Sequence, residues 1–384
     1  PALVLKGSFG LSPKERQLRN ALIGVQYVAS FGLIIGATFM YLQNYYMQNT
    51  PLGYDKDEII ITNMNNNIRK SRDAFASQVK SFSGIEEVTY AEMLLSSQDQ
   101  YMGWGRKYRD KDIQFQCLPV EPSFLKVMNV KISEGRDFRE EDKAKRYGTF
   151  VFNERARTEY GLEIGSLIDS MEIVGFMPDV KFASFRTEVT PMAFFVWGTN
   201  NWGNQPNYAY IKVKAGSDLR GAMQHVKTTL QSFDPEYPFN VRFFDEVLNG
   251  LYEKERSLSS LITLFSLIAI FISVVGVFGL VVFDSEYRKK EIGIRKVLGS
   301  TTEEIIVMFN KTYIRILCVC FVLGAPIAGY VVHRWLENFA YKTPMYWWVY
   351  LIAFAIIAVI TILTVTFQNW RAANENPVHS IKNE

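Results

Sequence analysis

Four almost wholly apolar runs, each about as long as the 20 residues a bilayer-crossing helix needs, dictate what this chain can become. They are Leu22–Leu42 (LIGVQYVASFGLIIGATFMYL), Leu258–Phe283 (LSSLITLFSLIAIFISVVGVFGLVVF), Tyr313–Val332 (YIRILCVCFVLGAPIAGYVV) and Trp347–Phe367 (WWVYLIAFAIIAVITILTVTF). A helix of that length covers the ~30 Å hydrocarbon core while satisfying its own backbone polar groups. The third run is the weakest, because Arg315 enters near one end, where its long side chain reaches back to the headgroups. Bulk averages conceal the pattern. The 384 residues are 48% hydrophobic with a formal net charge of +3, and mean hydropathy is −0.01, because one long polar stretch dilutes the four runs.

Basic residues set the orientation. Lys6, Lys14, Arg16 and Arg19 precede the first run. Arg288, Lys289, Lys290, Arg295, Lys296 and Lys311 fill the loop between the second and third, and Arg371 and Lys382 follow the fourth. The loop between the third and fourth offers only Arg334 and Lys342. The positive-inside rule therefore puts both termini and the loop 284–311 in the cytoplasm. Tyr41, Tyr45, Tyr46, Tyr346, Trp347 and Trp348 then mark the outer interface and Trp370 the inner one. The expected division is a cytoplasmic segment (1–20), a first span (21–43), an extracytoplasmic core domain (44–244), a stalk with the second span (245–283), a cytoplasmic coupling loop (284–311), a third span (312–333), an outer loop (334–345), a fourth span (346–368) and a cytoplasmic tail (369–384).

The polar insert, about 210 residues long, is large enough for one domain or two small ones. Strand-like runs at Glu58–Asn63, Ile113–Val120, Thr149–Phe152, Met171–Phe176, Ala193–Trp197 and Tyr208–Val213 alternate with helix-like runs at Ser71–Phe82 and Leu219–Ser232. Gly, Pro, Asn and Asp clusters separate them, an α+β pattern in two subdomains. From Asp245, a candidate cap, the sequence FFDEVLNGLYEKERSLSSL runs without proline into the second span. Two readings stay open: a continuous helix 245–283 serving as a rigid lever, about 58 Å long, or a short helix, a turn and then the span.

Catalytic chemistry finds little support. His225, His333 and His379 lie far apart, and Cys117, Cys318 and Cys320 read as unpaired filler. A zinc centre, a Ser-His pair and a disulfide framework are therefore not expected. No G-x-x-x-x-G-K-[ST] phosphate loop occurs, so no cofactor is expected and ATP hydrolysis is assigned to a partner. The spans hold no central Asp, Glu or Lys of the kind that marks an ion relay. Glu140, Glu141 and Asp142 read as a solvated acidic face. Within the spans, Gly32 and Gly36, and Gly276 and Gly279 beside Ser273, are candidates for close helix packing, and Pro326 after Gly324 for a kink.

The loop segment Glu286–Ser300, EYRKKEIGIRKVLGS, reads as a short amphipathic helix. Gly299 ends it, and Thr301 or Thr302 starts the next helix with Glu304 close behind. On physical grounds it is equally an anionic-lipid anchor or a docking helix for a cytoplasmic partner.

This loop, directly after GVFGLVVF, resembles that of MacB/FtsX-type ABC transporter permeases. The resemblance extends to Val120–Phe138 (VEPSFLKVMNVKISEGRDF), Phe152–Ala156 (FNERA) and Ile173–Phe195 (IVGFMPDVKFASFRTEVTPMAFF), similar to the periplasmic core domain of long permeases from Bacteroidetes-like bacteria. Ser300 stands where Ala is more usual. The resemblance implies an α-helical membrane protein with four transmembrane helices and a large α+β MacB-like periplasmic core domain between the first and second. It implies a bacterial inner-membrane location and an ATPase-coupling helix made of Lys289, Lys290, Glu291, Ile292, Gly293, Ile294, Arg295, Lys296, Val297, Leu298 and Gly299. The implied partners are an ABC ATP-binding subunit at that helix, a second permease half or protomer, membrane lipids, and a periplasmic adaptor or substrate protein; nucleic acid is not among them. Pro377–Asn383 echoes Pro1–Gly7, so the chain is expected to be the second half of a tandem eight-span permease. Three functions remain open at this stage: ATP-driven export or extraction, activation of a cell-wall hydrolase or signalling partner, and, least supported, a membrane-anchored enzyme.

Overall fold

A computed structural model describes residues 13–97, 100–287, 295 and 298–373. It divides into a membrane unit and an outer unit, the latter comprising Asn49–Lys254 and Phe339–Tyr341. Ten α-helices have described bounds, beside a 3-10 helix at Glu140–Ala144: α1 (Pro13–Asn49), α2 (Asn66–Lys70), α3 (Arg72–Lys80), α4 (Phe124–Val127), α5 (Glu154–Tyr160), α6 (Leu219–Phe233), α7 (Phe244–Leu251), α8 (Glu253–Tyr287), α9 (Thr302–Leu336) and α10 (Trp347–Ala373). Four of them, α1, α8, α9 and α10, are long and apolar enough to cross a membrane.

In the membrane unit, Tyr27, Phe31, Ile35 and Phe39 of α1 are buried against Phe309, Tyr313 and Leu317 of α9 and Val349, Ala353 and Ile357 of α10. The best 18-residue stretch of α1 is 39% buried, and that of α8 only 17%. Phe271 (69% exposed) and Leu267 (61%) typify the outward face of α8. An apolar surface of that extent is incompatible with water and suits lipid or another apolar helix. Pro326 sits inside α9, which runs unbroken past it.

The outer unit is built on one eleven-strand sheet: β1 (Ile59–Asn63), β2 (Ile85–Ala91), β3 (Gly103–Tyr108), β4 (Lys111–Val120), β5 (Glu134–Gly135), β6 (Thr149–Asn153), β7 (Leu167–Ile168), β8 (Met171–Met177), β9 (Met192–Val196), β10 (Tyr208–Val213) and β11 (Arg242–Phe243). The order is β11-β1-β10-β2-β4-β9-β6-β8-β5, with β3 on β4 and β7 on β8. The β4–β9 and β6–β8 pairs are parallel. Among the described residues, buried clusters on each lobe of this sheet include the following two. One lies between β1, β2 and β10 and helices α2, α3 and α6, around Ile60, Phe75, Val79, Ile211, Val226 and Leu230. The other is aromatic, with Trp104, Phe115, Phe150, Phe152 and Phe195 at its centre and ring centroids 4.9–6.4 Å apart. β6 and β9 are buried at every position, which is why they read as unbroken apolar runs rather than alternating ones. The two lobes of the sheet meet at one ladder pair, Ala91 with Val120.

The continuous 245–283 helix is not what forms. Phe243 occupies the N-cap position of α7 without a capping side-chain bond, and Asp245 lies within its first turn, where a carboxylate interacts favourably with the helix dipole. The helix stops at Leu251, and Tyr252, at φ −113° and ψ 13°, separates it from α8. The short-helix reading is therefore the correct one.

Candidate functional site

Of the residues expected to form the coupling helix, Lys289, Lys290, Glu291, Ile292, Gly293, Ile294, Lys296 and Val297 lie outside the described residues. Its end is described. Arg295 is helical, Gly299 adopts φ +96°, and the Ser300 amide donates back to the Arg295 carbonyl at 2.9 Å. That six-to-one bond with a left-handed glycine is a Schellman stop. Leu298 is 80% exposed. One residue later Thr301 opens α9: its hydroxyl accepts from the Glu304 amide at 3.3 Å, and the Glu304 carboxylate accepts from the Thr301 amide at 3.1 Å. The turn 298–301 is thus fixed from both sides.

Helix α8, which precedes this loop, is tied to α1 by polar contacts. Ser30 and Ser273 share a hydrogen bond of 2.8 Å, and the Ser266 hydroxyl donates to the Leu33 carbonyl at 3.0 Å. The glycines expected to pack diverge. A Cβ on Gly276 would meet Gln26 Oε1 at 2.7 Å, whereas nothing lies within 4 Å of that position at Gly32, Gly36 or Gly279. The close approach that sequence reasoning did not assign is at Gly324, where a Cβ would lie 3.4 Å from Val28 Cα on α1.

In the outer unit, residues 180–189 gather contacts that no motif signals. The Lys181 amide donates to the Leu52 carbonyl at 2.8 Å, and the Tyr341 amide to the Phe185 carbonyl at 3.1 Å. The Phe185 amide donates to the Tyr252 hydroxyl at 3.0 Å, and the Val189 amide to the Tyr341 hydroxyl at 3.2 Å. Gly53, at φ +90°, lets the chain after α1 come so near Val180 that a Cβ would stand 3.3 Å from its Cα. Lys181 Nζ lies 5.0 Å from the Tyr341 ring centroid. A cavity of about 200 Å³ opens beside this segment, lined by Tyr101, Lys181, Phe182, Thr187, Val189 and Tyr341 among others. Behind it Tyr54 and Tyr101 hold the same strip: the Tyr101 hydroxyl donates to the Phe182 carbonyl at 2.8 Å, and that of Tyr54 donates to the Lys181 carbonyl at 3.5 Å and shares a 2.8 Å hydrogen bond with Ser96 Oγ. Burial pushes the Tyr54 phenol far up, despite the Ser96 hydrogen bond, so it serves as a hydrogen-bonding group and not as an acid.

The acidic triplet is not one solvated face. Glu140 and Glu141 are exposed, but Asp142 is buried and takes Arg136 in a two-pronged pair at 2.7 and 2.9 Å. Burial alone would raise the Asp142 carboxyl. Hydrogen bonds from Arg136 and the Arg139 amide outweigh that and hold it below the usual carboxylate range. Cys117 is buried, and its thiol is raised by that burial, so it is not a nucleophile in this state. Among the described residues no group of three His, Cys, Asp or Glu side chains is placed to hold a metal ion.

Two family models match the chain in the order that the fold displays. The MacB-like periplasmic core domain matches residues 23–229, more than half of the 384, and the FtsX-like permease C-terminal region matches 263–377. The chain belongs to the MacB/FtsX-type permease family. As a MacB/FtsX-type permease it is a multi-pass membrane protein whose four membrane helices flank a large α+β periplasmic core domain. It is similar to the macrolide export ATP-binding/permease protein MacB of Chromobacterium violaceum, 23% identical over 230 residues covering 57% of this chain and 35% of that protein. The MacB of Escherichia coli K12 is 23% identical over 233 residues, with the same coverage. The match therefore spans about a third of each relative (35%). Among solved structures, the periplasmic region of MacB from Actinobacillus actinomycetemcomitans covers 51% of this chain and 92% of its own length, at 15% identity and a TM-score of 0.38.

Proposed function

We propose that this permease is the membrane subunit of an ABC transporter in a bacterial inner membrane. In this reading it carries ATP-driven motion from cytoplasmic ATPase subunits to the periplasmic core domain, for export or extraction of a substrate. The observation that supports it best is the succession of the two family matches along one chain, periplasmic core then FtsX-like spans. The loop between α8 and α9, ending in the Schellman stop at Gly299 and the Thr301 cap, is the docking site for the ATPase, with residues 289–299 as the coupling helix and Arg295 as its basic anchor. In this reading ATP hydrolysis belongs to that partner, because this sequence carries no G-x-x-x-x-G-K-[ST] phosphate loop; the relatives are named as ATP-binding/permease proteins, both functions in one chain. The exposed face of α8, together with Gly32, Gly36 and Gly279, faces lipid or a second permease half or protomer. A periplasmic adaptor or substrate protein acts at the outer unit.

The test is purification of the full chain in mild detergent with mass spectrometry of what co-purifies. Recovery of an ATP-binding cassette protein, lost on Arg295→Glu, is the expected result. A stable complex without any ATPase would overturn the transporter reading and favour a permease fold that activates a hydrolase or signalling partner.

A further inference from the structure

The outer unit continues in sequence into the membrane helices at three places: after α1, before α8, and at Phe339–Tyr341 between α9 and α10. All three meet on one ten-residue strip of the outer unit. Leu52, three residues beyond α1, accepts from the Lys181 amide. Tyr252, the residue that breaks α7 from α8, accepts from the Phe185 amide. Tyr341, between α9 and α10, donates its own amide to the Phe185 carbonyl and takes the Val189 amide on its hydroxyl. The backbone of Phe185 therefore holds the second crossing with its N–H and the third with its C=O. Its ring, 1% exposed, lies 6.2 Å from that of Tyr252 and 5.8 Å from that of Tyr341, both edge-on. The far side of the strip is fixed to the lobe interior by the Tyr101 hydroxyl on the Phe182 carbonyl.

We infer that residues 180–189 are the junction through which the three crossings are coupled, with Tyr252 and Tyr341 as its positioning residues. The geometry is that of a clamp. A displacement arriving by any one crossing strains a hydrogen bond to the strip, and the strip is common to the other two. The break at Tyr252 fits this role. A continuous helix from α7 would have passed motion along one rod, whereas a non-helical residue bonded to Phe185 passes it into the strip. The hydroxyls matter because they are the acceptors: phenylalanine at either position keeps the ring and removes the acceptor of the strip amide. That these crossings carry ATP-driven motion rests on the proposed function; that they are coupled to each other does not.

Each link ends in an amide proton, so hydrogen exchange reads the junction directly in the full chain reconstituted in nanodiscs. Tyr252→Phe removes the acceptor of the Phe185 amide, which is expected to exchange about fivefold faster, the factor set by one net hydrogen bond. Coupling predicts that the Tyr341 and Lys181 amides, whose own partners are untouched, also speed up. Tyr341→Phe is expected to release Val189 directly, and Phe185 and Lys181 through the strip. Tyr237→Phe, which removes a hydroxyl acceptor from Asn63 Nδ2 elsewhere in the same unit, is expected to leave all four amides unchanged. Faster exchange confined to Phe185 in the first variant and Val189 in the second would overturn the junction. With a cassette ATPase bound, both variants are expected to hydrolyse ATP while losing any nucleotide-dependent change in exchange of the outer unit. If no ATPase ever binds, the proposed function fails, and the exchange comparison still decides the junction.

Discussion

Ser30 on the first membrane helix and Ser273 on the second are hydrogen-bonded at 2.8 Å, both nearly inaccessible. In hydrocarbon such a hydroxyl pair contributes about 0.6 kcal/mol and at most about 1.7, because the separated helices also find partners. A double-mutant cycle with Ser30→Ala and Ser273→Ala, read by unfolding of the full chain in bilayer-like detergent, is expected to give a coupling in that range. Strictly additive single effects would remove the pair from the contacts that hold α8 to α1.

Gly324 and Gly279 are expected to behave oppositely. A side chain at Gly324 grows toward the α1 backbone at Val28 Cα, 3.4 Å from the Cβ position, whereas Gly279 has open space. Gly324→Leu should cost about 1–3 kcal/mol, the usual penalty for overpacking a tight contact. Gly279→Leu should leave the thermal midpoint of the isolated chain unchanged. A destabilising Gly279→Leu in dilute, monodisperse protein would mean that the helix contacts differ from those described.

The Arg136–Asp142 pair makes stability depend on pH with a defined sign. The folded-state carboxyl of Asp142 is held below its ordinary value, so the pair stabilises the fold above the ordinary carboxylate range, and that contribution drains away as pH falls through the depressed value. Asp142→Asn is expected to lower neutral-pH stability by about 1–3 kcal/mol and to flatten the acid limb. Asp137, whose carboxyl burial pushes up and the Asp142 charge raises further, contributes with the opposite sign, so both chains are compared with Asp137→Asn in place. Parallel curves for the two chains from pH 7 to 3, followed by tryptophan fluorescence, would refute the assignment.

Orientation has a direct chemical test. A cysteine replacing Leu298, 80% exposed, should react with an impermeant maleimide only in inverted membrane vesicles, in a background without Cys117, Cys318 and Cys320. One replacing the exposed Lys227 of α6 should react only from the opposite side. Labelling of both from one side would contradict the even-numbered topology.

The membrane helices were legible because twenty apolar residues in a row have few other uses. Of the six strands that were legible, β6, β8 and β9 read as apolar runs because nearly every position in them is buried. β2 was not legible, because Glu86 and Glu87 follow its first residue, Ile85, and disguise the buried Val88–Ala91 beyond them. β3 hid behind Gly103 and Gly105, which show no side chain to alternate. Asp142 was misread because its partner, Arg136, stands six positions away with no helical spacing to announce the pair. The strip 180–189 lies inside the family-like segment Ile173–Phe195, but its contacts were invisible for a deeper reason. Its role lies in backbone amides, and what they bond to comes from Leu52, Tyr252 and Tyr341, positions far apart in the chain that only the fold brings together.

The ladder pair joining the two lobes of the outer sheet has a corollary for how such a domain is assembled. Ala91 at the end of β2 pairs with Val120 on one side and with Tyr208, the first residue of β10, on the other. The whole aromatic lobe, residues 92–207, is thus a single excursion that leaves and re-enters the chain at adjacent points of one strand pair. A short turn between Ala91 and Tyr208 would close β2 and β10 into a hairpin, so these two residues mark a graft boundary. A shorter excursion between them would leave the β2–β10 ladder of the helix-backed lobe in place, while giving up the bonds that residues 180–189 make to Leu52, Tyr252 and Tyr341.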